Sequence, residues 1–98
     1  MKTALVTGAA RGIGLATTKL FIEEGWQVAM IDRDRPTLIA AAEGLESAHA
    51  IFADVSIPDQ VDRMVAETLE HFGQINALVN NAGVADFGPI EETTFERW

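Results

Sequence analysis

The chain has 98 residues, enough for one domain at most. It is 48% hydrophobic and 22% charged, the balance of a folded globular protein rather than a disordered tail. Fifteen acidic residues against seven basic ones give a formal charge of −8, which disfavours nucleic acid and anionic membranes as partners, and the lack of Cys removes disulfides, thiolate metal sites and Cys nucleophiles together.

Ala4-Leu5-Val6 is the first compact apolar run and predicts a strand ending at Thr7-Gly8. Ile13, Ala16, Leu20 and Phe21 then recur at helical spacing, with Gly25 as the C-cap. Val28 to Ile31 predicts a second strand, ending at Asp32. Asp34 and Pro36 open a second helix that stops near Gly44. Ala50 to Ala53 predicts a third strand, ending at Asp54. Ser56 and Asp59 resemble a capping box, and Val61, Met64, Val65, Leu69 and Phe72 form one apolar stripe closed by Gly73. Ala77-Leu78-Val79 predicts a fourth strand, ending at Asn80-Asn81. Gly88-Pro89 marks a loop, and Thr93 with Glu96 reads as a further helix start carrying Phe95 and Trp98. The strand runs are continuous rather than alternating, so they predict burial on both faces. The order βαβαβαβ predicts a parallel sheet with right-handed crossovers.

No apolar stretch is long enough for a transmembrane helix, and the first strand follows Met1 almost at once, so a cytoplasmic protein without a signal peptide is expected. His49 and His71 have no carboxylate set at ligand spacing, and no metal site is expected.

Thr7-Gly8-Ala9-Ala10-Arg11-Gly12-Ile13-Gly14 joins the first strand to the first helix. Gly8 permits a sharp turn, Gly12 lets a ligand approach the backbone, and Gly14 lets the helix pack tightly on the sheet. The helix start offers free N–H groups and the positive end of its dipole to a pyrophosphate. No Gly-Lys-Ser/Thr follows, so this is not the loop of an ATP- or GTP-hydrolysing enzyme.

The loop Thr7 to Gly14 resembles the coenzyme motif of the short-chain dehydrogenase/reductase family. Asp54-Val55 and Asn80-Asn81-Ala82-Gly83 resemble two further motifs of that family, in the same order. The resemblance implies an α/β fold: a Rossmann-like parallel sheet in order 3-2-1-4 with helices on both faces. Residues 1–98 would be the N-terminal part of a single dinucleotide-binding domain, a truncated half of a doubly wound one. The implied cofactor-binding residues are Gly8, Arg11, Gly12, Ile13, Gly14, Asp32, Asp54, Val55, Asn81, Ala82 and Gly83. Asp32 ends the second strand, where an acid accepts from the ribose hydroxyls and repels a 2′-phosphate; this favours NAD(H) over NADP(H). Arg11 and Arg33 pull the other way, since either can meet a 2′-phosphate. The resemblance also implies that the Asp54 carboxylate and the Val55 N–H meet the adenine. Asn81 would lie beside the ribose, and Asn80 would be structural.

The family transfers hydride between a nicotinamide and an alcohol or ketone, using a Tyr, a Lys four residues later, a Ser and an Asn. All four are placed after the Asn-Asn-Ala-Gly segment, yet this chain has no Tyr and no Ser after Ser56. No catalytic residue is therefore assigned, and the isolated chain is predicted to be inactive. Two other readings stand beside this one. One is a non-catalytic nucleotide-binding module. The other is an assembly module, a homo-oligomer whose open Ala77 to Val79 edge pairs with a copy.

Overall fold

The computed structural model describes residues 1–81 and 91–93. The chain alternates strand and helix: β1 (Thr3–Thr7), α1 (Gly12–Glu23), β2 (Gln27–Asp32), α2 (Arg35–Ala42), β3 (Ala48–Phe52), α3 (Pro58–Phe72) and β4 (Ala77–Asn80). A short β5 (Glu91–Thr93) follows. The sheet runs β3-β2-β1-β4-β5, with the first four strands parallel, as expected. The fifth pairs antiparallel to β4, with Leu78 opposite Thr93.

That last pairing corrects two expectations. Thr93 lies in a strand, not at a helix start, and the β4 edge is covered rather than open. An unpaired strand edge leaves rows of N–H and C=O groups without partners, and this need outweighs the poor strand propensity of Glu91-Glu92. Phe95, Glu96 and Trp98 lie outside the described residues.

Burial follows position in the sheet. All five residues of β1 are buried, as are Val28 to Ile31 of β2. In β3 only Ile51 is buried, because this strand is at the edge. Ala4, Val6, Val28, Met30 and Val79 face one way, against Leu38 of α2 and Leu15, Phe21 and Ile22 of α1. Leu5, Ala29, Ile31, Ile51 and Leu78 face the other way, against Met64, Val61, Val65 and Phe72 of α3. Helices thus cover both faces. Every strand of the parallel set points its C-terminal end the same way, where loops gather at the switch between β1 and its two neighbours.

The helix ends show which local signals act. Asp34 caps α2, accepting from Thr37 N–H at 3.3 Å, with Pro36 in the first turn. Gly73 ends α3 in the left-handed region at φ 83°, its N–H on the Leu69 carbonyl at 2.8 Å. The expected Ser56–Asp59 capping box does not form. Ile57 is the N-cap without a side-chain bond, and Pro58 sets the helix start. The apolar stripes are also narrower than expected. Ile13 and Leu20 on α1 and Leu69 on α3 are exposed. Thr18 and Thr68 are buried in their place, each hydroxyl donating to the carbonyl four residues back, at 2.9 and 2.7 Å. Among the described residues no helix is long and apolar enough to cross a membrane.

Candidate functional site

The loop after β1 turns through two left-handed glycines, Gly8 at φ 64° and Gly12 at φ 56°. A side chain at Gly12 would project into open space, so the glycine leaves the backbone bare toward a ligand. Gly14 is required for a different reason. A Cβ there would lie 2.0 Å from the Gly8 carbonyl oxygen and 3.0 Å from the Asn81 amide nitrogen. The close approach is therefore between α1 and its own loop, not between the helix and the sheet as expected. No side chain caps the start of α1, where Arg11 holds the N-cap position in extended backbone.

Three tethers hold this loop. On the β2 side, Ala9 N–H donates to the Ile31 carbonyl at 3.0 Å, and Ala10 N–H donates to Asp32 Oδ2 at 3.1 Å. Asp32 Oδ1 accepts from Asp34 N–H at 3.0 Å. One carboxylate thus fixes both the glycine loop and the turn into α2, and an ionised carboxylate has about four lone-pair sites, so two stay open among the described residues. On the β4 side, Asn81 N–H donates to Thr7 Oγ1 at 3.0 Å and Asn81 Nδ2 donates to the Gly8 carbonyl at 3.4 Å. The Thr7 hydroxyl lies 3.3 Å from Asn80 Oδ1, to which it donates. Asn80 and Asn81 tie neighbouring loops, and Thr7 is the joint between them. The third tether is the ion pair of Arg11 with Asp34, supported by a bond from Arg11 to Thr37 Oγ1 at 3.1 Å.

Asp54 follows β3 and opens the turn into α3. Its Oδ1 accepts from Ser56 N–H at 3.0 Å and from the Ser56 hydroxyl at 2.6 Å, while Arg33 lies 3.8 Å from Oδ2. The Ser56 contacts, with Arg33 adding to them, hold the Asp54 carboxyl below the usual carboxylate range. Bonds from Thr37, then the charge of Arg11, lower Asp34 likewise.

These groups surround one cleft of about 780 Å³ at the C-terminal ends of the parallel strands. Eight of the sequence-predicted residues line it: Gly8, Arg11, Gly12, Ile13, Asp32, Asp54, Val55 and Asn81. Gly14 lies beneath the loop, and Ala82 and Gly83 lie outside the described residues. Ile31, Asp34, Ala53 and Ser56 also line the cleft and were not singled out as site residues. Asp34 was legible only as a helix cap; its spacing from Arg11 carries no sequence signal. Arg33 is both exposed, at 78%, and on the rim facing Asp54. His49 lies within β3 rather than before it, and its ring stacks on His71 at 3.8 Å, 8° from parallel. His49 Nε2 lies 3.2 Å from Glu67 Oε2, and among the described residues no three His, Cys, Asp or Glu side chains form a metal-ligating group.

The cleft fits a dinucleotide on three grounds: the bare backbone at Gly12, the uncapped helix start and an acid with open lone pairs at the end of β2. Comparison with known proteins agrees. The family model described as short chain dehydrogenase matches residues 2–98. The chain is 46% identical over 98 residues to a sorbitol dehydrogenase of Cereibacter sphaeroides, covering 99% of this chain and 38% of that protein. It is 46% identical over 99 residues to a galactitol 2-dehydrogenase of Agrobacterium fabrum, again covering 99% and 38%. Among solved structures, a 3-ketoacyl-(acyl-carrier-protein) reductase from Brucella melitensis complexed with NADH superposes with a TM-score of 0.76 at 36% identity, over 79% of this chain and 32% of that one. A short chain dehydrogenase/reductase from Burkholderia phymatum in complex with NAD gives a TM-score of 0.77 at 28% identity, over 79% and 29%. The chain thus spans a little over a third of the length of these curated relatives.

Proposed function

The chain belongs to the short chain dehydrogenase family, and on that premise we propose that its cleft holds the adenosine and pyrophosphate part of a nicotinamide dinucleotide, NAD(H) in preference to NADP(H). The whole protein would transfer hydride between the nicotinamide and an alcohol or its carbonyl. The polyols named for two relatives make sugar alcohols and their ketoses the first substrates to try. Its catalytic acid and base are assigned to chain other than these 98 residues, which contain no Tyr.

Each residue has a task in this reading. Gly8 and Gly12 keep the loop backbone bare, and the first N–H groups of α1 receive the pyrophosphate. The open lone pairs of Asp32 accept from the adenosine ribose hydroxyls, and its charge opposes a 2′-phosphate. Asp54 and Val55 form the adenine end of the cleft, and Asn81 the end toward the second ribose. Ile13, on the exposed face of the first turn, covers the pyrophosphate from above. Ala82 and Gly83 are assigned beside Asn81 on sequence grounds. The dinucleotide, when bound, donates or accepts the hydride.

The observation that carries the reading is the Asp32 carboxylate, moored by two backbone N–H groups beside a left-handed glycine loop. Calorimetric titration of the chain with NADH tests it. Saturable binding that weakens at least tenfold in Asp32→Ala supports the proposal. No binding by the folded chain, or equal binding by the variant, contradicts it. Reproducible NAD(H) turnover by the isolated 98 residues would contradict the assignment of the chemistry elsewhere.

A further inference from the structure

Two guanidinium groups and three carboxylates crowd one rim of the cleft, and their pairing is uneven. Arg11 is held twice, by the Asp34 carboxylate and by Thr37 Oγ1 at 3.1 Å. Arg33 is held once, by Asp54 at 3.8 Å, and is the more exposed of the two, at 78% against 66%. The third carboxylate, Asp32, has no guanidinium partner and bonds only backbone N–H groups among the described contacts. Two cations therefore face three acids, and the uncompensated negative charge rests on Asp32.

The Arg11 contact is built into the fold. Asp34 is also the N-cap of α2, and its own N–H is bonded to Asp32. Ala10, next to Arg11, is bonded to the other oxygen of Asp32. Asp32 thus fixes the backbone on both sides of the ion pair, and the pair bridges the glycine loop and α2 above it. A phosphate added to the adenosine ribose would arrive at this rim, where a nearby Arg would be its natural partner.

We infer that Asp34 is a cofactor-selectivity residue, which engages Arg11 at the start of α2 and so withholds it from a ribose phosphate. Asp32 repels the phosphate, and Asp34 removes one of the two rim cations that would offset that repulsion, leaving only Arg33, which Asp54 holds at 3.8 Å. The inference rests on the dinucleotide reading of the cleft and deepens it.

Asp34→Asn is the decisive variant, because Asn caps a helix as well as Asp but carries no charge to hold a guanidinium. The unaltered chain, Asp34→Asn, Arg11→Ala and the double variant are each titrated with NADH and NADPH, with circular dichroism confirming the fold. The unaltered chain prefers NADH. Asp34→Asn raises the affinity for NADPH relative to NADH by about fivefold, the scale of one exposed ion pair. The double variant loses that gain, and added salt shrinks it. Arg11→Ala alone leaves the NADPH to NADH ratio within about twofold of the unaltered chain, since Arg11 is already engaged. An unchanged ratio in Asp34→Asn overturns the inference. So does a gain that survives in the double variant, which would reflect only the lost negative charge. A selective loss of NADPH in Arg11→Ala overturns it as well, and is readable even if Asp34→Asn fails to fold. If the folded unaltered chain binds neither dinucleotide, the reading of the cleft itself falls, and this inference with it.

Discussion

The two ends of the parallel sheet are stitched differently. At the N-terminal ends, amide and hydroxyl groups and one cation–π contact close the gaps. Asn76 Oδ1 accepts from Thr3 N–H at 2.8 Å, Gln27 Nε2 donates to Thr3 Oγ1 at 2.9 Å, and Lys2 lies over the Trp26 ring. At the C-terminal ends, the strands stop at Thr7, Asp32, Phe52 and Asn80, and the bonds run through carboxylates, guanidiniums and a glycine loop around a cleft. One end spends its polar groups on the fold. The other uses some for the fold and leaves lone pairs and N–H groups for a ligand. Stability and binding should therefore respond separately to changes at the two ends.

The largest effect expected is at Gly14. An added Cβ meets backbone at 2.0 Å, and neither α1 nor the loop can yield cheaply. Gly14→Ala should cost ~3 kcal/mol or more in urea unfolding, whereas Gly12→Ala, which meets nothing but must hold φ 56°, should cost ~1 kcal/mol. Gly12→Ala should instead impair NADH binding more than its stability loss explains. Equal unfolding costs for the two variants would break the distinction between packing glycine and ligand-facing glycine.

A smaller effect is expected at the joint between β1 and β4. Thr7→Val keeps the shape but leaves Asn81 N–H and Asn80 Oδ1 without the hydroxyl, which should cost roughly 1–2 kcal/mol. It should also weaken NADH binding by displacing Asn81. Thr3→Val, at the opposite end, removes only the Gln27 contact and should leave binding unaltered at a similar or smaller stability cost. Loss of binding in Thr3→Val would erase the contrast between the ends.

The smallest effect is that of pH. Asp34 and Asp54 both have folded-state pKa values below the usual carboxylate range, through Thr37 and Ser56 first and the arginines second. A depressed folded pKa stabilises the fold above the unfolded value of about 4, and that contribution is lost as pH falls through the folded value. Urea midpoints of the chain and of an Asp34→Asn, Asp54→Asn double variant should differ at pH 7 and converge below about pH 4. A gap that stays constant down to pH 3 would show that these acids act without their charge.

Much of this was legible in the sequence, for identifiable reasons. The strands follow from continuous apolar runs and their order from the family resemblance, and the cleft follows from glycines at a strand-to-helix junction and an acid about twenty residues on. Asp34 as a cap and Gly73 as a stop read correctly because these are local backbone demands. The Ser56–Asp59 box misled because the Ser56 hydroxyl bonds backward to Asp54, leaving Pro58 to set the start of α3. Leu20 and Leu69 misled because buried Thr18 and Thr68 satisfy their own hydroxyls and need not face water. β5 and the Arg11–Asp34 pair depend on what the fold brings together, 23 residues apart in the second case, and no local pattern encodes them.

The most direct test is an amide NMR titration of the isotopically labelled chain with NADH. The account predicts saturable shifts at Gly8, Gly12, Ile13, Asp32, Val55 and Asn81, with Thr3, Gln27, Asn76 and the His49–His71 pair unmoved. Shifts clustered at the N-terminal ends of the strands, or no shifts at millimolar NADH, would contradict it.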